Sequence, residues 1–124
     1  MEKIYFKSTE HKESSQQFLE LFGKEDFLGD VEYGTVAYIF GALSYKFNDL
    51  ISVIDDDQSL DVGKLYELID VYSSSERNMI RFAMQCFNSN IDDICLNDVL
   101  YSLDNENALV IKTAIEIRYF KRFM

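Results

Sequence analysis

The chain contains no proline, no tryptophan and only five glycines. Without proline, nothing forces a helix to kink or stop, and no stretch has the composition of a linker. Two cysteines, Cys86 and Cys95, are too few and wrongly spaced for a zinc pattern, a CxxC redox pair or a disulfide framework, so reduced thiols are expected. A single histidine, His11, leaves little material for catalysis by a nucleophile and a general base. Gly23, Gly29, Gly34, Gly41 and Gly63 are scattered and open neither a GxGxxG nor a GxxxxGK pattern, so no cofactor is expected. No apolar run approaches the roughly 20 residues of a membrane span. Residues 1–7 meet charge at once and build no apolar core of a signal peptide. The expectation is a cytoplasmic protein with no membrane contact.

What is present is apolar mass and negative charge. With 48% hydrophobic and 15% aromatic residues, the 124-residue chain has the material for one core, and residues 1–124 are expected to form a single domain. The net charge is −10 and it is unevenly spread. Residues 1–24 carry four acids and four bases, residues 25–70 eleven acids and two bases, and residues 71–124 seven acids and six bases. Almost all of the excess therefore falls in the middle third. Such a surface repels phosphate backbones and steers toward a basic protein partner rather than nucleic acid. The residues expected to meet that partner are Glu25, Asp26, Asp30, Glu32, Asp55, Asp56, Asp57 and Asp61. The plainer alternative is that the charge only keeps the protein dispersed.

Hydrophobic spacing reads as helix nearly throughout. A first helix is expected over 8–22, from an N-cap Ser8, with His11, Ser15, Phe18, Leu19 and Phe22 on one face and Gly23 at the left-handed position that ends it. A second fits 31–43, with Tyr33, Val36, Ala37, Phe40 and Leu43 as an apolar stripe. Residues 44–54 continue helically or form a short separate helix, 55–59 is an acidic loop, and 61–71 is a fourth helix. Ser73-Ser74-Ser75-Glu76 reads as a capping box before Met79, Phe82, Ala83, Cys86 and Phe87, with Asn88-Ser89-Asn90 ending that helix. A short helix over 96–103 and a long one from an Asp104 cap complete the count. Only residues 4–6 look extended. The fold class is an all-α bundle of six or seven short helices, with an α+β variant if the N-terminal segment finds a second strand.

The chemical candidates are few. Asp55, Asp57, Ser59 and Asp61 occupy the first four odd positions of a calcium loop, but Leu60 replaces its glycine and Tyr66 its bidentate glutamate, so no metal is expected. Asp92-Asp93 are adjacent in an expected loop and point apart, which makes no acid/base pair. His11 falls on the inner face of its helix, as a core or cap histidine. Residues 118–124, Arg-Tyr-Phe-Lys-Arg-Phe-Met, interleave three cations with three aromatics. They suit a helix end, where cations complement the macrodipole, or self-association with the acidic middle of another copy.

Residues 5–11 (Tyr-Phe-Lys-Ser-Thr-Glu-His), Tyr38-Ile39, residues 81–88, Leu103-Asp104-Asn105-Glu106-Asn107 and Ala114-Ile115-Glu116-Ile117-Arg118 together resemble a family of small uncharacterised proteins. It is a domain of unknown function found in Gram-positive bacteria and their prophages. The resemblance implies no activity and no site residues, but it implies a mobile-element setting. The expected function is thus a non-enzymatic protein-binding module, an inhibitor of a host nucleic-acid-handling or defence protein. The rivals are a small enzyme using His11 and a homo-oligomer, such as a homodimer, with no external partner.

Overall fold

Short polar side chains decide where the helices begin. The computed structural model describes residues 3–88, 90, 91 and 94–120. Within them lie α1 (Thr9–Leu21), α2 (Val31–Ala42), a 3-10 turn (Ser44–Lys46), α3 (Phe47–Ile51), α4 (Val62–Ile69), α5 (Ser74–Phe87), α6 (Leu96–Tyr101) and α7 (Asn105–Tyr119). Ser8, Asp30, Asp61, Ser73 and Asp104 each accept the N–H of the residue three further on. These bonds satisfy amides that a helix start leaves without partners. At Ser73 the box is complete, because the Glu76 carboxylate also accepts the Ser73 N–H at 3.0 Å. Gly23 follows α1 with φ 74°, the left-handed conformation that lets the chain turn away.

The buried apolar side chains form one continuous core with α2 at its centre. The sequence suggested a stripe on α2. Instead every residue from Gly34 to Leu43 is buried, because α2 packs against α1, α5 and α7 at once and carries no charge from Tyr33 to Tyr45. Its closest approach is to α1, where a Cβ added at Gly41 would lie 2.6 Å from the Ser15 backbone nitrogen. Glycine allows the two helix backbones to touch there. Around it the core takes in α5 (Met79, Phe82, Ala83, Cys86) and α7 (Val110, Ile111, Ala114, Ile117), together with Phe18 and Leu19 of α1, Leu50 of α3, Leu65 and Ile69 of α4 and Val99 of α6. Arg118 ties the end of α7 to α5 by donating from Nε to the Cys86 carbonyl at 2.6 Å.

There is no strand among the described residues, which removes the α+β variant. Residues 4–6 are not helical, and residues 5 and 7 are tied to helices rather than to a ladder. Tyr38 Oη donates to the Tyr5 carbonyl, and Lys7 Nζ donates to Asn107 Oδ1 of α7 at 2.9 Å. The chain around the acidic loop makes one isolated antiparallel bridge, Ile54 to Leu60. No helix among the described residues is long and apolar enough to cross a membrane. Ser89, Asp92, Asp93 and residues 121–124, named above for a helix end, a carboxylate pair and a basic tail, lie outside the described residues.

Candidate functional site

The two acidic stretches meet at one end of the α1–α2 hairpin. In the 55–59 turn, Asp55 N–H donates to the Ser59 carbonyl at 2.8 Å and Gln58 N–H to the Asp55 carbonyl at 2.9 Å. Gln58 takes φ 68°, a left-handed conformation uncommon outside glycine. Its side chain lies against the turn after α1, so closely that a Cβ on Gly23 would sit 2.6 Å from Gln58 Oε1. A second tie runs through Tyr33 of α2, whose hydroxyl accepts the Leu60 N–H at 3.3 Å. Residues 23–30 and 55–61 therefore form one acidic end rather than two separate loops.

The eight carboxylates expected to bind a partner divide by what else they touch. Asp30 caps α2 through the Tyr33 N–H at 3.1 Å and pairs with Lys24 Nζ at 3.1 Å. Partial burial works against its ionisation, but the amide and the ammonium outweigh it and hold the carboxyl below its usual value. Asp26 accepts the N–H groups of Leu28 and Gly29, closing the loop into α2. Asp57 accepts both the hydroxyl and the N–H of Ser59, which lower its pKa. Asp61 accepts the Lys64 N–H at 3.0 Å as the cap of α4. These four shape the loops. Glu25, Glu32, Asp55 and Asp56 are exposed, and among the described residues their carboxylates make no hydrogen bond or ion pair.

Sequence reasoning missed Glu20. It lies in the last turn of α1, within the charge-balanced first third, yet it lines a hollow of about 290 Å³ together with Glu25 and Asp26 over Leu19 and Phe27. Its exposed position in a helix whose opposite face is apolar was the available signal. The hollow adjoins another of about 410 Å³ between Gly23 and Asp30. Within this end, Lys24 is spent on Asp30 and lies over the Tyr33 ring, 5.1 Å from its centroid.

The other candidates have different surroundings. The His11 side chain is fully buried, with Nε2 2.9 Å from the Tyr38 carbonyl and Nδ1 accepting the Lys7 N–H at 3.1 Å. A carbonyl on one side and an amide donor on the other require the neutral ring protonated at Nε2. Burial pushes its pKa down to about 4, against the opposing pull of the Tyr38 carbonyl and with help from Lys7. Burial likewise pushes the Cys86 thiol up to about 12, where it is a poor nucleophile. Cys95 is exposed, and its thiol lies 3.1 Å from Asp98 Oδ2. Among the described residues no three His, Cys, Asp or Glu side chains converge as metal ligands. In the loop that resembles half a calcium site, Asp57 is turned to Ser59 and Asp61 to α4.

No protein-family model, curated protein or solved structure matches this chain, so function has to be read from the residues themselves.

Proposed function

We propose that the chain is a non-enzymatic protein-binding module whose acidic end covers a basic, nucleic-acid-handling surface of a partner, and that it serves a mobile element as an inhibitor. The observation that carries this reading is the seating of Gln58 on Gly23, which joins the two acidic stretches into one surface. Glu20, Glu25, Asp55 and Asp56 stand on that surface exposed. Negative charge gathered in this way raises the rate of encounter with a basic partner and selects against acidic ones. The inhibitor role, the mobile-element setting and a cytoplasmic location rest on the resemblance and composition described above. Against the enzyme reading stand the burial of His11 and the engagement of both its ring nitrogens.

The test is capture of host proteins on the immobilised chain at about 0.05 M and about 0.5 M salt, between which the screening length falls from more than 10 Å to roughly 4 Å. Wild type should retain a basic protein at low salt only. The variant Glu25→Lys/Asp55→Lys/Asp56→Lys, which changes the charge by six units without touching a cap, should lose it. An identical set of captured proteins on both baits would exclude the acidic end as the binding surface.

A further inference from the structure

A further hollow, of about 310 Å³, lies between α1 and α3 and shares Glu20 with the acidic one described above. Its floor is apolar, made by Leu21 of α1 and Phe47 and Ile51 of α3, and Gln17 stands with Glu20 on the α1 side. Leu21 is 39% exposed, and Phe47 and Ile51 are half-buried. Single exposed apolar residues are ordinary, whereas a contiguous groove marks a contact surface. Both walls of this groove lead to the joint between the acidic stretches. Gly23 follows closely on Leu21, and beyond Ile51 the chain enters the 55–59 turn, whose Gln58 is seated on Gly23. The groove therefore opens onto the acidic end.

Charge decides what fits there. Helical spacing puts Glu13 on the same side of α1 as Gln17, Glu20 and Leu21. Glu13 and Glu20 are exposed, and neither belongs to an ion pair among the described residues. The nearby cations are engaged or face elsewhere. Lys24 is held by Asp30, and Lys46 at the start of α3 lies over the Tyr72 ring, 4.5 Å from its centroid. Lys12 falls on the side of α1 that carries Gln16 and Leu19. An apolar floor under an acidic rim suits an apolar side chain carried between cations, whose own alkyl stems can cover the rest of the floor. The apolar groove between α6 and α7, lined by Leu100, Ala108 and Leu109, has Lys112 in its lining and no carboxylate, so it does not suit the same ligand.

We propose, on the reading that the acidic end is the binding surface, that this groove receives a large apolar side chain of the basic partner, from a segment in which Lys or Arg stands on both sides of it. An apolar anchor then holds a contact that charge mainly steers. The test is fluorescence anisotropy of two labelled peptides on the full chain at about 0.05 M salt, Lys-Lys-Leu-Leu-Lys-Lys and Lys-Lys-Ser-Ser-Lys-Lys, which carry the same charge. The leucine peptide should bind roughly tenfold tighter or more. Leu21→Asn should remove that advantage, and Glu13→Gln/Glu20→Gln should weaken the leucine peptide several-fold. Leu109→Asn, in the other groove, should change nothing, and circular dichroism should show every variant folded. Equal affinity for the two peptides, or an advantage that survives Leu21→Asn, would overturn the groove while leaving the acidic end its charge-driven partner. So would an advantage lost in Leu109→Asn, or a leucine peptide that does not bind at all. An advantage that depends on Leu21, in a leucine peptide whose affinity is unmoved by Glu25→Lys/Asp55→Lys/Asp56→Lys, would keep the groove and remove the acidic loops from the binding surface.

Discussion

Where α1 crosses α2, a Cβ on Gly41 would stand 2.6 Å from the Ser15 nitrogen, while at the end of the same hairpin Glu25 is exposed. The crossing is held by packing: Ser15 is fully buried, and Phe18 meets Phe40 edge-on with ring centroids 5.4 Å apart. The acidic end is held in part by a few hydrogen bonds that Asp26, Asp30, Asp57 and Asp61 accept, while the carboxylates of Glu25, Glu32, Asp55 and Asp56 accept none among the described residues. Stability and surface charge thus reside in different residues. Charge at the end can change while the crossing stays as it is.

The sharpest way to break that contrast is Gly41→Ala. The added carbon meets backbone that cannot rotate away, so the clash should outweigh the helix-propensity gain of up to about 1 kcal/mol and leave a net loss of about 2–3 kcal/mol. Gly63→Ala in α4, where the nearest atom would be 3.5 Å away, should be neutral or slightly stabilising. Equal denaturation midpoints for the two variants would mean that the helices do not touch at Gly41.

Acid comes next. His11 has a pKa of about 4 when folded and about 6.5 when unfolded, so between these values the unfolded chain binds the extra proton. Stability present above about pH 6.5 should be lost as pH falls toward 4, with a slope that can reach about 1.4 kcal/mol per unit. The difference between wild type and His11→Gln across this window isolates the imidazole from the carboxylates. Parallel curves would show the ring to be solvated. Ser73→Ala should cost about 1 kcal/mol, the usual value for a lost N-cap, readable as a lower melting temperature. Smallest per site, Glu25→Lys/Asp55→Lys/Asp56→Lys should shift stability by no more than about 0.5 kcal/mol at each position. A collapse of that variant would mean that the free carboxylates support the fold after all.

Local signals were legible because they act locally. Ser8, Ser73 and Asp104 cap the helices expected of them, and Gly23 ends the first, since each needs only neighbours three or four residues away. His11, Ser15, Phe18, Leu19 and Phe22 share a buried face as their spacing required. That Asp30 and Asp61 also cap helices was less legible, because a capping carboxylate and a solvated one are the same residue type, told apart only by the amide that faces them. The burial of α2 on every side was hidden for another reason. Periodicity reports a face only when one side is polar, and from Gly34 onward α2 has no charged or exposed residue. Least legible was the joining of 23–30 to 55–61, which depends on a left-handed Gln58 meeting a glycine 35 positions earlier.

Because α2 touches α1, α5 and α7 together, no single helix can lift away and wet all sides of it. Amide protons in the middle of α2, around Ala37 to Ile39, should therefore exchange with deuterium only when the whole molecule opens, while those of the short α3 and α6 exchange through local fraying. The slowest exchange rates in the protein thus report its full unfolding free energy in plain buffer, with no denaturant and no extrapolation.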